Sequence, residues 1–454
     1  MKTLIAHGTV VNFDGEKRAD VLVEDGLVAR VGPDLRADGA HVVDARGCSV
    51  LPGFIDTHTH FDLDLGFTRT ADDFTTGTKA AVLGGTTTVL DFATQEPEGT
   101  LAAALEAWHE KAKGSSCNYG FHMAIARWDQ ATEAELPAMT DAGVTSYKMY
   151  MVYDKLRVDD GSIYAALKAI SREGALLGVH CENWDVLQRM IREVKTQEIT
   201  GPEGHPLSRP APVEAEAVAR LMRIAELAKA PVYVVHLSTK EGLAEALRAR
   251  ARGQEVYLET CPQYLLLTDE RYAQSDGAKF VMSPPLRKAE DCAALWRGLA
   301  EGEIDFVGTD HCSFTMAQKA RGRDDFSLTP NGSAGVQHRG ELLYTYGACA
   351  GKITLPRMVE LLSYAPSRLF GMEGRGLVAE GYAADLVVWD PEASYRIEDA
   401  KTAHNCDNSP YAGFAVEGRA RDVFVNGMHV VSNFALVRPG MGKYISRKGY
   451  IHTR

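Results

Sequence analysis

Six residues of types that bind metal ions lie in or just after short apolar runs. The runs are SVLPGFIDTH, TSYKMYMV, ALLGVHCEN, PVYVVHLS and IDFVGTDHC, and the residues are His58, His60, Lys148, His180, His236 and Asp310. Taken alone, each has an ordinary explanation, because a histidine at a strand end is commonly a hydrogen-bonded structural residue and Asp310 could cap a turn. Together, four imidazoles and a carboxylate are costly to bury without a cation. The coincidence therefore predicts a metal site.

Lys148 is the unusual member of this set because its neighbours are Tyr147, Met149, Tyr150 and Met151. Burial in such surroundings disfavours an ammonium and should lower the pKa of Lys148 toward the neutral amine. A neutral amine can react with carbon dioxide, and the resulting carbamate could bridge two cations. A lysine paired with an acidic residue at the rim is the alternative, and the residues alone leave both interpretations open.

Eight apolar runs would position these residues. The remaining three are TTTVLDFA, NYGFHMAI and QEVYLETCPQ, and segments of helical periodicity such as PVEAEAVARLMRIAELAKA separate the runs. Near-continuous apolar runs indicate parallel strands that are covered on both faces. We therefore predict an α/β fold with a TIM-type (β/α)8 barrel and loop insertions, while periodicity leaves a doubly wound sheet as the alternative. In a barrel, the C-terminal strand ends meet at one mouth, which would bring the six residues together.

Both ends of the chain show a different pattern, in which short runs of alternating apolar and polar residues are separated by turn residues, as in ADVLVEDGLVARVG and RDVFVNGMHVV. They predict one small β-sandwich domain built from residues 1–50 and 373–440, flanking a barrel of residues 51–372. Residues 441–454 are basic and aromatic, and are interpreted either as a solvated tail or as an oligomer contact.

Composition excludes several functions. The chain has 454 residues, with 49 Lys and Arg against 61 Asp and Glu, and its net charge of -12 without a basic block disfavours nucleic-acid binding. No signal peptide or run long enough to span a membrane is evident, so we expect a cytoplasmic protein without membrane association. Eight scattered cysteines without a CxxC pair predict reduced thiols.

Five motifs in order, HTH, SYKMYMVY, HCEN, HLS and GTDH, resemble the amidohydrolase superfamily. Within it, the chain is similar to the hydantoinase and dihydropyrimidinase group, and it shares HTHF, ETCPQYLLL, SPPLR and DHC with bacterial phenylhydantoinases. The resemblance covers nearly the whole chain, including both flanking β segments.

The resemblance implies two divalent ions, zinc with manganese or cobalt as alternatives, and carbon dioxide to carboxylate Lys148. One ion would be held by His58, His60 and Asp310. The other would be held by His180 and His236, with N6-carboxylated Lys148 and a hydroxide bridging the two ions. Asp310 would also serve as general base and acid.

Three further residues acquire roles from the resemblance. Tyr153 would donate to the developing oxyanion, and Ser283 and Asn331 would hold the ring through main-chain contacts. Without the resemblance, Tyr153 is interpreted as a packing aromatic and the other two as turn residues. His122 and His311 are expected to support the ligands rather than bind metal.

The expected function is hydrolysis of a hydantoin or dihydropyrimidine ring to an N-carbamoyl amino acid. Asp62 stands where dihydroorotases have arginine, and LDLG replaces the Glu-Pro-Gly turn of allantoinase-like sequences; both departures argue against those substrates. The alternatives are another cyclic ureide or imide such as allantoin, deacylation of N-acyl amino acids, or a scaffold protein without catalysis. The group's members suggest a homotetramer.

Overall fold

The computed structural model describes residues 2–450. Seven strands precede the barrel and build most of the small domain. They are β1 (Lys2–Ala6), β2 (Thr9–Asn12), β3 (Gly15–Arg18), β4 (Asp20–Glu24), β5 (Leu27–Gly32), β6 (His41–Asp44) and β7 (Ser49–Pro52).

The barrel consists of eight parallel strands in sequential order. They are β8 (Phe54–Thr59), β9 (Thr86–Thr94), β10 (Asn118–Ala124), β11 (Ser146–Tyr150), β12 (Leu176–His180), β13 (Val232–Val234), β14 (Val256–Thr260) and β15 (Phe306–Val307). A bridge between Thr59 and His311 and a 2.7 Å hydrogen bond from Thr309 Oγ1 to Asp56 Oδ2 join the last strand region to the first. A doubly wound sheet would instead reverse its strand order, so the TIM-type barrel is confirmed.

Helices connect the strands and cover the barrel. They are α1 (Phe74–Leu83), α2 (Leu101–Lys111), α3 (Gln130–Ala134), α4 (Leu136–Asp141), α5 (Asp160–Arg172), α6 (Trp184–Thr196), α7 (Gly204–Ser208), α8 (Ala211–Ala228), α9 (Lys240–Ala251), α10 (Pro262–Leu266), α11 (Ala289–Ala300), α12 (Met316–Lys319), α13 (Arg339–Leu343), α14 (Leu355–Val359) and α15 (Ala365–Leu369). Pro212 lies in the first turn of α8, where its missing N–H costs nothing, and the predicted apolar face of this helix is buried.

Short 3₁₀ and π segments complete the helical structure. The 3₁₀ turns are Asp269–Ala273, Gly277–Phe280, Ala320–Gly322, Phe326–Leu328 and Asp399–Lys401, and π turns span Tyr344–Cys349 and Glu360–Tyr364.

The small domain combines both chain ends, as predicted. Its C-terminal strands are β16 (Leu386–Arg396), β17 (Ala415–Val425), β18 (Met428–Ser432) and β19 (Ala435–Leu436). The antiparallel pairing of β16 with β7 joins the two ends in a seven-stranded sheet, which faces the four-stranded sheet β5-β4-β1-β6. Both sheets contribute to one apolar core, including Val21 and Val23 from one and Leu386 and Val388 from the other.

Gly53 divides the first apolar run between the two domains. Residues before it form β7 in the small domain, and residues after it form β8 in the barrel. A Cβ at Gly53 would lie 2.1 Å from Thr87 Oγ1, so only glycine allows this close approach of the chain to β9. The run SVLPGFIDTH is therefore two strands rather than one.

The described part of the C-terminal segment packs on the barrel of its own chain, so the expectation of a solvated tail is wrong there. Ile445 N–H donates to Tyr119 O at 2.7 Å. Arg447 is 3% exposed and donates to Ser146 Oγ at 2.7 Å and to Phe121 O. Residues 451–454 lie outside the described residues. Among residues 2–450, none of the helices has the length and apolar character that crossing a membrane requires.

Arg447→Met should lower the free energy of unfolding by about 1–3 kcal/mol, because it leaves a buried carbonyl without its donor. Urea denaturation measures the change. Lys448→Met is the matched control, since its ion pair with Glu373 is exposed and such pairs contribute at most about 1 kcal/mol. Equal destabilisation by the two substitutions would contradict the structural role of Arg447.

Candidate metal centre and active site

The six predicted ligands meet at the mouth of the barrel. His58, Lys148 and His180 lie on β8, β11 and β12, while His60, His236 and Asp310 lie one to three residues beyond the ends of β8, β13 and β15. None of the six is more than 9% exposed. Parallel strands in a closed barrel place their carboxyl ends on one face, so residues far apart in sequence become neighbours.

Asp310 and His58 form the centre of this cluster. Asp310 Oδ1 lies 3.2 Å from both His58 Nε2 and His60 Nε2. Lys148 Nζ lies 2.9 Å from His58 Nε2. The candidate ligand atoms of His58, His236 and Asp310 all lie within 4.8 Å of one another, a separation suited to one cation or a pair.

His180 stands beside His236, with ring centroids 4.5 Å apart. Its Nε2 lies 2.7 Å from Glu182 Oε2, and Arg209 Nη1 donates to the same oxygen at 2.8 Å. Burial opposes ionisation of Glu182, but Arg209 and His180 outweigh it and hold the pKa of this carboxyl well below its usual range. These contacts with Glu182 and Arg209 fix the His180 ring and leave Nδ1 as its candidate ligand atom.

Glu259 on β14 orients two other candidate ligands. Its Oε1 lies 2.5 Å from His58 Nδ1 and accepts the His236 backbone N–H at 3.0 Å. With Nδ1 occupied in this way, the Nε2 lone pair of His58 faces Asp310 and Lys148.

Lys148 is buried, as its neighbours in sequence predict. It is 1% exposed, and its Nζ lies 4.2 Å from the Phe92 ring centre and 5.0 Å from that of Tyr150. Burial lowers the pKa of Lys148 to about 8, although Asp310 and Glu259 act in the opposite direction.

The donor set fits divalent cations. Four imidazoles and a carboxylate converge, and the Nδ1 atoms of His60 and His236 are buried with no hydrogen-bond partner among the described residues. Burial lowers the pKa of His58 and His236, which keeps both rings neutral and able to coordinate. Buried polar atoms without a hydrogen-bond partner require an explanation, and a bound ion is one that fits this donor set.

Tyr153 lies next to the cluster, with its ring centre 5.3 Å from that of His180. Burial raises the pKa of its hydroxyl, so the phenol remains a donor. Ser283 is 5% exposed, and its Oγ is buried without a hydrogen-bond partner among the described residues. Asn331 is partly buried on a second loop, which Gly332 N–H joins to Val281 O at 3.0 Å.

Three candidate site residues have left-handed backbone conformations. The φ angles are 74° at Tyr153, 38° at His236 and 53° at Asp310. Such conformations cost about 1–3 kcal/mol each for non-glycine residues and cluster at functional sites. All three residues lie two or three positions beyond the end of a barrel strand.

The rings of His122 and His311 form hydrogen bonds with residues other than the six candidate ligands. The His122 ring contacts Ser146 Oγ at 2.6 Å and Thr57 O at 3.0 Å. His311 Nε2 lies 3.0 Å from Asp72 Oδ2, and its Nδ1 accepts the Gly335 N–H.

Glu259, Glu182 and Arg209 were not predicted from the sequence. For Glu259 a signal existed, since a carboxylate at the end of the apolar run QEVYLETC must be buried and partnered. Glu182 follows His180 by two residues, whereas Arg209 lies in a loop with no distinguishing pattern.

Comparisons with known proteins agree with this architecture. The Amidohydrolase family model matches residues 49–430. D-phenylhydantoinase of Escherichia coli is 41% identical over 458 aligned residues, covering 99% of each chain. The crystal structure of dihydropyrimidinase from Brevibacillus agri has a TM-score of 0.98 at 39% identity, covering 100% of both chains. An L-hydantoinase (dihydropyrimidinase) from Arthrobacter aurescens has a TM-score of 0.91 at 27% identity, covering 98% and 99%.

A (β/α)8 barrel with a histidine and aspartate cluster at its mouth and a family model that matches residues 49–430 define the class, and the chain belongs to the amidohydrolase family. Within that family it is a cyclic amidohydrolase of the hydantoinase/dihydropyrimidinase type.

Glu259→Gln should weaken binding of divalent metal about 10–100-fold, the usual effect of removing a group that orients a ligand. Competition with a chelator measures the affinity. Glu241→Gln on the exposed surface of α9 is the control. Unchanged affinity in the folded Glu259→Gln protein would refute the orienting role.

Proposed function

We propose that this protein opens the ring of 5-substituted hydantoins or dihydropyrimidines by hydrolysing a ring amide bond, giving an N-carbamoyl amino acid. The observation that carries the proposal is the convergence of four imidazoles, a buried lysine and a carboxylate at the barrel mouth. The substrate class is supported by full-length relatives named D-phenylhydantoinase and dihydropyrimidinase.

Each candidate ligand has an assigned role in the proposal. His58, His60 and Asp310 would hold one divalent cation, and His180 and His236 would hold a second. Lys148, carboxylated by carbon dioxide, would contribute to both; its lowered pKa supports this, because only the neutral amine is carboxylated. Bound cations, zinc or alternatively manganese or cobalt, would lower the pKa of a water and polarise the ring carbonyl.

Asp310 would move the proton. Its carboxylate would accept the proton of the attacking water and deliver it to the departing ring nitrogen. Its Oδ1 lies 3.2 Å from Nε2 of both His58 and His60, and its backbone has a left-handed φ of 53°.

Tyr153 would stabilise the developing oxyanion. Its phenol stays protonated because burial raises its pKa, and a donor aimed at charge that forms only in the transition state lowers the barrier selectively. The main chain at Ser283 and Asn331 would hold the cyclic ureide or imide.

The loop after His60 favours a substrate whose ring carries no carboxylate. Asp62 Oδ1 accepts Arg69 Nη1 at 2.9 Å, and Asp64 Oδ2 accepts Arg69 Nη2 at 3.2 Å. Arg69 is therefore paired with two carboxylates, which leaves residues 61–73 without an unpaired lysine or arginine to bind the carboxylate of an acidic substrate.

We also propose assembly as a homotetramer, which light scattering of the purified protein tests.

Metal analysis combined with a hydrolysis panel of hydantoin, 5-phenylhydantoin, dihydrouracil and allantoin tests the function. We expect bound divalent metal, N-carbamoyl products from the hydantoins or dihydrouracil, and loss of turnover on chelation that added metal restores. Turnover of allantoin alone would favour the other cyclic ureide. Absence of both metal and turnover would support a non-catalytic scaffold and end the enzyme hypothesis.

Lys148→Ala should reduce turnover by about 10²–10³-fold, the range for removing one charge-stabilising group. Acetate or propionate should restore part of it by supplying the missing carboxylate. Lys155→Ala in the adjacent exposed loop is the control and should retain turnover. Full activity of Lys148→Ala without added acid would show that a carbamate is not required.

A further inference from the structure

Lys319, the last residue of α12, is a buried lysine outside the metal cluster. It is 1% exposed. Its Nζ donates to three backbone carbonyl oxygens, those of Val281, Pro330 and Gly332, each at 2.7 Å. An ammonium has three N–H donors, so each one has a carbonyl acceptor.

The electrostatic setting of Lys319 is unusual. The ion pairs among residues 2–450 do not include it, and its other close contact is the Phe314 ring, 5.5 Å from Nζ to the ring centre. Burial lowers the pKa of Lys319 to about 7, while three carbonyl acceptors favour the charged form. A buried ammonium is costly, and an apolar side chain would fill the same space without that cost.

The three carbonyls belong to two loops that the proposed function uses. Val281 precedes Ser283 by two residues, and Pro330 and Gly332 flank Asn331. Gly332 N–H donates to Val281 O at 3.0 Å, so both loops meet at the Lys319 ammonium.

The same loops are tied to the segment that carries Asp310. Cys312 N–H donates to Ser333 O at 3.0 Å. At Gly332, φ is 139° and a Cβ would lie 2.4 Å from Cys312 O, so the loop can approach this closely only with glycine. Lys319 therefore lies where the Ser283 loop, the Asn331 loop and the Asp310 segment converge.

We propose that Lys319 is a positioning residue for the substrate, whose ammonium holds the backbones at Ser283 and Asn331 in the arrangement that binds the ring amide. This inference rests on the proposed function, because the two loops matter only if they contact the ring. The Lys319 ammonium donates to loop carbonyls and to none of the candidate metal ligands, so we expect it to act on substrate binding rather than on the chemical step.

Lys319→Met tests the inference, since methionine has a similar length and no donors. We expect KM for the best ring substrate to rise about tenfold or more, because misplacing a positioning element by about 1 Å can cost 10²-fold. The kcat and metal content should stay near wild type, the pattern produced by losing binding shared by ground and transition states.

Lys279→Met is the matched control. Lys279 is 8% exposed in the turn before Val281, and its Nζ pairs with Asp276 at 2.6 Å instead of with loop carbonyls. It should keep the wild-type KM. Lys319→Arg is a second variant for the case in which Lys319→Met does not fold; its planar fork cannot converge on three carbonyls, so its KM should also rise.

Wild-type KM in a folded Lys319→Met or Lys319→Arg protein would overturn the inference, and so would loss of kcat with unchanged KM. Hydrogen exchange distinguishes a wrong role for Lys319 from a wrong proposed function, because it does not depend on turnover. The amides of the non-proline residues within 281–286 and 329–334 should exchange faster in the Lys319 variants than in Lys279→Met, whether or not a ring is hydrolysed. Wild-type protection of the amides in both loops would refute the claim that Lys319 holds these backbones in place. Faster exchange in a protein that hydrolyses no ring would leave that structural role intact and refute its role in substrate binding.

Discussion

Polar side chains buried at the barrel mouth must find partners within the protein, and this requirement organises the site. Asp56 accepts hydrogen bonds from Thr309 N and Oγ1 at 3.1 and 2.7 Å and thereby joins the first and last strand regions. Asp91 accepts Thr59 Oγ1 and the Phe61 N–H at 2.9 and 2.8 Å, which holds the strand end around His58. A shell of carboxylates thus surrounds the imidazoles.

These hydrogen bonds allow three residues of the site to keep strained backbone conformations. Tyr153, His236 and Asp310 have left-handed backbones that a loosely held loop would relax. Glu259 holds the backbone N–H of His236. Tyr153 and Asp310 follow β11 and β15, and the isolated bridges Tyr150–Arg157 and His311–Ser333 hold the adjoining loops. Stability lost at the strained positions is compensated in the apolar barrel core, which positions the site without taking part in its chemistry.

Much of this architecture was predictable because it depends on local periodicity. Continuous apolar runs indicate strands covered on both faces, and the face of α8 follows from a spacing of 3.6 residues. Gly53 divides one apolar run between two domains, which periodicity does not reveal because both halves are apolar. The packing of Arg447 against the barrel was not predicted either, because basic terminal segments are usually exposed to solvent.

The sequence by itself determined the barrel, the mixed origin of the small domain and the six candidate ligands, since residue type and strand position are local properties. Only the tertiary structure decided which groups support those ligands. The run QEVYLETC indicates that Glu259 is buried but not which residues it contacts, and Lys319 looks like any lysine in sequence. Their partners, His58 and the carbonyls of two separate loops, come from distant parts of the chain and meet them only when the barrel closes.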